Sequence, residues 1–497
     1  MASVVVVGAG MGGLAVAARL AAQGHRVHVV EQAAVAGGKL ARYERDGFVF
    51  DTGPSLLTLP AVYRDLFLKT AVRRADARLE DNVDLQALDP AFAYQWADGT
   101  RALLPGAGSN RVAAALGASL GGDAAGEWTR FIGRAADIWE TTRVPFLQTP
   151  LRSADLLLLS RRLGDVRTVA PWRSLRGLGG QYLTDPRLRT LLDRYATYTG
   201  SDPRRAPGAL AVIPYVEQTF GAWHLGGGVA ELARAVHERC VQRGVTFTFG
   251  HLVTRIIVDA GHEVGVELDD GRRLAADVVV SDVDASSLYE DLVDDPRARR
   301  PLRKLRRATP SFSGFVLLLA VEGRTDGIAH HNVWFPDDYD AEFDAVFAGR
   351  VATDPTVYAC VPDDPLMRPA DDTESWFVLV NAPRHAPGHG TDWRADGARE
   401  AYAQHILAVL ARRGVDLRRR LRWYETRAPD DLQQATLSPG GSIYGSSSNG
   451  ARSAFLRPAN RSPVSGLFLV GGSSHPGGGL PLVGLGAAIV AEQVGSA

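Results

Sequence analysis

VVVVGAGMGGLAVAARLAAQGHRVHVVE, residues Val4 to Glu31, is the stretch that decides the fold. Val4 to Val7 is a β-branched run of the kind that forms a strand buried on both faces. Gly8, Gly10 and Gly13 follow in G-x-G-x-x-G spacing, with an additional Gly12. Leu14 to Ala21 is a small-residue helix that Gly24 closes, and Val27 to Val30 is a second strand with Glu31 at its end. The glycines serve a tight turn, close approach to a pyrophosphate, and close helix–strand packing. Free N–H groups at the helix start favour phosphate, and Glu31 is placed to accept hydrogen bonds from a ribose. The alternative is an ordinary βαβ unit with a glycine-rich turn. Strand, glycines, helix, second strand and acid arriving in order favour a dinucleotide site.

Downstream, Gly37, Gly38 and Lys39 bring a second piece of backbone and a cation towards the phosphates. Gly53-Pro54-Ser55, inside FVFDTGPS, is a rigid turn able to present an N–H to a flat ring. At the far end, GLFLVGGSSHPGGGLPLVGLGAAIVAEQV starts at Gly466 with a short buried strand that ends in Gly471-Gly472. Gly479, Leu480 and Val483 then open an Ala/Gly-rich helix, a second place for a polar cofactor edge.

Composition narrows the class. At 497 residues the chain exceeds one core, and 45% hydrophobic with 22% charged residues is that of a globular protein. A net charge of −1, with no basic block interleaved with aromatics, argues against nucleic-acid binding. Cys240 and Cys360 are the only cysteines and form no CxxC, so neither a disulfide framework nor a zinc site is expected. His330 and His331 are adjacent, and on a strand they would face opposite ways, which argues against a metal pair. No metal is expected. A reducing, cytoplasmic setting is expected from the two cysteines, and no apolar run reaches membrane-span length.

Glu31, five residues, GGK and then FxFDTGPSLL resembles the flavoprotein superfamily of amine oxidases, protoporphyrinogen oxidase and bacterial-type carotenoid desaturases. The closing GxFLxGGSxHPGxGL is similar to the bacterial-type phytoene dehydrogenases, with mild departures at Ser474 and Gly478. Tyr195 to Gly228, together with GSIYG, looks more like the desaturases of hydroxylated or methoxylated carotenes. The resemblance spans Val4 to Val490. It implies an α/β fold: a discontinuous Rossmann-type FAD-binding domain with an inserted α+β substrate domain and a helical region able to touch a membrane. The implied pieces are residues 1–80, 226–298 and 426–497 for FAD, and 81–225 and 299–425 for substrate. It also implies that the Val253 backbone meets the adenine and that Asp282, ending the strand ADVVVS, lies near the cofactor.

The implied reaction removes a hydride and a proton from adjacent carbons of a long apolar polyene, the flavin taking the hydride. Little acid–base help is needed; Asp155 and Asp344 are weak catalytic candidates, more simply read as surface carboxylates. Electrons would pass to oxygen or a quinone. Apolar helical segments between residues 126 and 192, including LLLL at 156–159, read either as core helices or as a surface resting on a bilayer. Peripheral attachment to the cytoplasmic membrane is the expectation. The competing readings are a carotenoid cis–trans isomerase or saturase, an amine or porphyrinogen oxidase, and a non-catalytic escort for prenylated partners, which would not need the intact glycine motifs.

Overall fold

The computed structural model describes residues 1–150, 163–259, 263–450, 453 and 457–497. Asp155 and the 156–159 leucines lie outside the described residues. In chain order the elements used below are β1 (Ser3–Val7), α1 (Met11–Ala22), β2 (Arg26–Glu31), β3 (Phe48–Asp51), β4 (Phe92–Gln95), β5 (Arg101–Leu104), α2 (Ala124–Thr142), α3 (Val212–Phe220), α4 (Ala230–Gln242), β6 (Thr246–Phe249), β7 (Val278–Ser281), β8 (Ser313–Glu322), β9 (His331–Trp334), β10 (Val357–Cys360), β11 (Thr373–Ala382), β12 (Leu421–Arg427), β13 (Leu467–Leu469) and α5 (Leu480–Val494).

Three distant stretches of chain build one parallel sheet in the order β13–β7–β1–β2–β6. The valine run explains why β1 is central: Val4 and Val6 pack into a cluster with α1, α4 and α5, while Val5 and Val7 pack into a second cluster on the opposite face. A strand buried on both sides has no polar face to alternate with. The opposite face is covered by an antiparallel three-stranded sheet (Val253–Asp259, Glu263–Leu268, Arg273–Ala276).

A second, mixed sheet runs β12–β8–β11–β10–β9–β4–β5, with only the β9–β4 pairing parallel. One side carries a large core shared with α2 and the helices around residues 175–196. The other carries Trp376, Trp393 and the helix Ala398–Arg412. The hairpin read at residues 85–104 exists as β4 and β5 around Asp98-Gly99. Leu85–Ala87 departs from it and pairs with Trp223–Leu225, a partner far along the chain that local alternation cannot reveal.

Asp51 joins the two halves. Its carboxylate accepts hydrogen bonds from the backbone N–H groups of Val229 (2.8 Å) and Ala230 (2.9 Å), capping α4 from a remote strand. Burial pushes its pKa up to about 6, against the pull of those two N–H groups. Asp51→Ala strands both buried donors and is expected to cost roughly 2 kcal/mol in denaturant unfolding at pH 7. An unchanged midpoint would show that the cap carries no weight.

Candidate functional site

The glycine loop after β1 is fixed from three sides. Gly8 has φ +98, a left-handed geometry that glycine adopts without strain. A Cβ on Gly13 would lie 2.0 Å from the Gly8 carbonyl oxygen, so only glycine lets α1 sit this close to the strand. The Ala9 N–H donates to Glu31 Oε2 (2.6 Å) and the Ala33 N–H to Oε1 (2.8 Å), stapling the loop to the end of β2. Glu31 thus fixes the loop with one lone pair of each oxygen and keeps capacity for a ribose.

Asp282, the first residue after β7, reaches across to the start of α1, where its Oδ2 accepts from the Gly13 N–H at 3.0 Å. A Cβ on Gly10, Gly12 or Gly471 would fall within 2.5 Å of one of its oxygens. Burial, and then the charge of Glu31, raise its pKa to about 7, partly offset by the glycine N–H groups and Lys39. Lys39 does not stand free beside the phosphate position. Its Nζ donates to the Ile443 carbonyl (2.7 Å), and burial lowers its pKa while Asp284 and Asp282 hold it up.

These residues border one cavity of about 900 Å³. Of the residues that the sequence marks for the cofactor, all except Gly13 line it, including Gly53, Pro54, Ser55, Val253, Gly472, Gly479, Leu480 and Val483. Gly13 stands behind the lining as a packing residue. Gly53 is likewise confined, since a Cβ there would lie 1.8 Å from the Lys39 carbonyl oxygen. The two glycine clusters, more than 400 residues apart in sequence, meet at Gly12 and Gly471.

Beyond the glycines the same cavity runs between α2, α3 and the mixed sheet, past Trp139, Phe146, Ile213, Val216, Phe377 and Leu379. In this apolar wall sits a polar group that the sequence reading missed. Arg194 is 7% exposed and donates to the Tyr198 hydroxyl (3.0 Å), and its guanidinium lies 5.2–5.7 Å from the ring centres of Tyr198, Tyr94 and Tyr358. Tyr195 and Tyr198 both donate to the buried Glu217 (2.7 and 2.9 Å), whose pKa burial raises. No carboxylate among the described residues lies within ion-pair distance of Arg194. The signal was present in RYATYTG: Tyr198 stands three residues after Tyr195 and four after Arg194, spacings that bring helical side chains together, and α3 carries a glutamate among mostly apolar residues.

Asp344 is exposed and ion-paired with Arg204 (2.6 Å), outside the cavity lining, which fits the simpler reading of a surface carboxylate and not the catalytic one. One expectation needs correction. His330 and His331 do not diverge. His330 precedes β9 and escapes its alternation, and the two rings lie 4.6 Å apart.

Residues 11–369 match the family described as flavin-containing amine oxidoreductases. The chain belongs to that family. Among the similar proteins, 4,4'-diapolycopene oxygenase of Methylomonas sp. is 32% identical, covering 99% of this chain and 97% of its own. Hydroxyneurosporene desaturase of Rubrivivax gelatinosus is also 32% identical, over 99% and 93% of the two chains. A triple mutant of putrescine oxidase with redesigned cofactor binding shares the fold with a TM-score of 0.65 at 16% identity, covering 100% and 99%. The chain is an FAD-dependent oxidoreductase. FAD fits the cradle: glycine positions with no room for a Cβ, N–H groups at the start of α1 for the diphosphate, Glu31 for a ribose, and the Gly53–Ser55 and Gly471–Leu480 backbones for the ring side.

Proposed function

We propose that this flavoenzyme desaturates a long acyclic carotenoid whose end carries an oxygen, taken up at a membrane surface. The observation that carries the reading is Arg194: a guanidinium with no direct carboxylate partner among the described residues, on the wall of an apolar cavity that is continuous with the cofactor cradle. A pure hydrocarbon would leave its remaining donors unpaired in a dry site, a cost that a hydroxyl or carbonyl oxygen removes. The relatives named as a hydroxyneurosporene desaturase and a 1-hydroxycarotenoid 3,4-desaturase support the same substrate class.

When bound, FAD supplies hydride acceptance at the C–H bond. The chain does the rest by placement. The apolar walls desolvate the polyene, at roughly 25 cal/mol per Å² removed from water. Tyr198 and Glu217 hold Arg194 so that its donors meet the oxygen, and this sets which carbon pair reaches the ring. Positive charge left on the substrate is spread along its conjugated bonds, so no strong base is required. The neighbouring proton is released, and the electrons pass on to dioxygen or a membrane quinone.

Arg194→Met tests the end-group claim. KM for a hydroxylated carotene is expected to rise roughly 10- to 100-fold, the worth of a charge-assisted hydrogen bond, while an unsubstituted polyene is turned over as before. Equal losses on both substrates would defeat it.

No helix among the described residues is long and apolar enough to cross a membrane, and attachment at the cytoplasmic face is peripheral in this reading. Val144 and Trp172 are 49% and 63% exposed, and Val144 is close in sequence to Phe146 and Leu147 on the cavity wall. The double variant Val144→Asp with Trp172→Asp should lose flotation with neutral phospholipid vesicles that the parent chain shows. A parent that never floats would contradict the membrane claim.

A further inference from the structure

Behind the Gly53–Ser55 turn lies a buried cluster that the flavin chemistry does not use. β9 and β10 pair antiparallel with His331 opposite Cys360, which puts both side chains on one face. His330, just before β9, turns its ring against that of His331. One ring nitrogen of each histidine and the Cys360 sulfur all lie within 4.8 Å of one another. His331 is fully buried; its Nδ1 bonds the Tyr358 hydroxyl (2.8 Å), while its Nε2 has no partner. The Nε2 of His330 is also buried and unpartnered, and Cys360 is a free, buried thiol. Two orphaned imidazole nitrogens beside a thiol are costly in an empty core, and an unpaired buried polar atom calls for an explanation.

We infer that His330, His331 and Cys360 form a binding site for a cuprous ion. The ligand set is soft, which selects d10 metals such as Cu(I) and Zn(II). Structural zinc takes four ligands, and the described residues supply three. A thiolate also cancels the single charge of Cu(I), so the buried site carries no net charge of its own with the ion bound. Binding forms one Cu–S and two Cu–N bonds and releases the thiol proton to solvent, with no change of oxidation state. The Tyr358 bond to His331 Nδ1 is the outer contact that metal-bound histidines ordinarily have. Through it the ion would hold Tyr358, whose hydroxyl shares a 2.6 Å hydrogen bond with Ser55 on the cavity wall.

The test is metal content, read independently of turnover. The purified FAD-loaded protein is equilibrated anaerobically with Cu(I) held by a competing chelator, then desalted. One copper per chain is expected, with one sulfur and two nitrogen neighbours by X-ray absorption. Cys360→Ala and Cys360→Ser should each lose the copper while keeping parental FAD content, which shows that the variants are folded. Copper absent from the parent, retained equally by both variants, or displaced by equimolar Zn(II) would overturn the inference.

Discussion

Asp282→Asn should hold FAD as firmly at pH 9 as at pH 6, whereas the parent chain should lose about tenfold in affinity for each pH unit above about 7. Asp282 occupies the start of α1 with its carboxylate on the Gly13 N–H, inside the loop that serves the diphosphate. An anion bound there is compatible with a neutral carboxyl and repelled by a carboxylate. Burial, with the Glu31 charge behind it, puts the pKa at about 7, so binding above that pH must take up a proton and weakens as protons become scarce. The same residue shapes stability without cofactor. Its folded pKa lies above the ordinary 3.8, so the folded state binds more protons between about pH 4 and 7 and stability falls as pH rises through that window. Asp282→Asn is therefore expected to unfold at higher denaturant than the parent at pH 8 and to gain nothing at pH 4. Flavin titrations at four pH values decide the matter; an Asn variant with the parent's slope would remove Asp282 from the account.

Gly13→Ala is expected to abolish the yellow colour of the purified protein. The new methyl would meet the Gly8 carbonyl oxygen at 2.0 Å and Val6 Cγ1 at 3.3 Å, and neither can retreat from the centre of the parallel sheet. Relief requires lifting α1 off β1, which withdraws the N–H groups from the phosphates. Overpacking of about 2.7 kcal/mol at this contact corresponds to roughly a 100-fold loss of FAD affinity. Gly133→Ala, in the middle of α2 with nothing within 4 Å of the added methyl, should leave FAD content unchanged. Normal flavin content in Gly13→Ala would show that close helix–strand packing is not what the third glycine provides.

The cofactor half was legible because its logic is local. From Val4 to Glu31 the strand, turn, helix and acid follow one another within one βαβ unit, and the closing glycines after β13 repeat the same strand-to-helix device. Lys39 and Asp51 were harder. Their partners, Ile443 and the start of α4, lie 404 and at least 178 residues away, and nothing in GGK or FDTGP names them. The Arg194 group was harder still: Tyr195 and Glu217 lie 22 residues apart, and Tyr94 and Tyr358 come from separate strands of the mixed sheet, so no single stretch of sequence displays the group. His330 and His331 failed for another reason: alternation holds inside a strand, and β9 begins one residue later than the pattern required.

The most direct test of the central claim is an anaerobic single turnover of the FAD-loaded chain with a 1-hydroxylated acyclic carotene, following flavin and polyene absorption together. The account predicts bleaching of the yellow flavin band in step with a red shift of the carotenoid and a product lighter by two hydrogens. A flavin that stays oxidised while the polyene isomerises, gains oxygen or remains unchanged would contradict it.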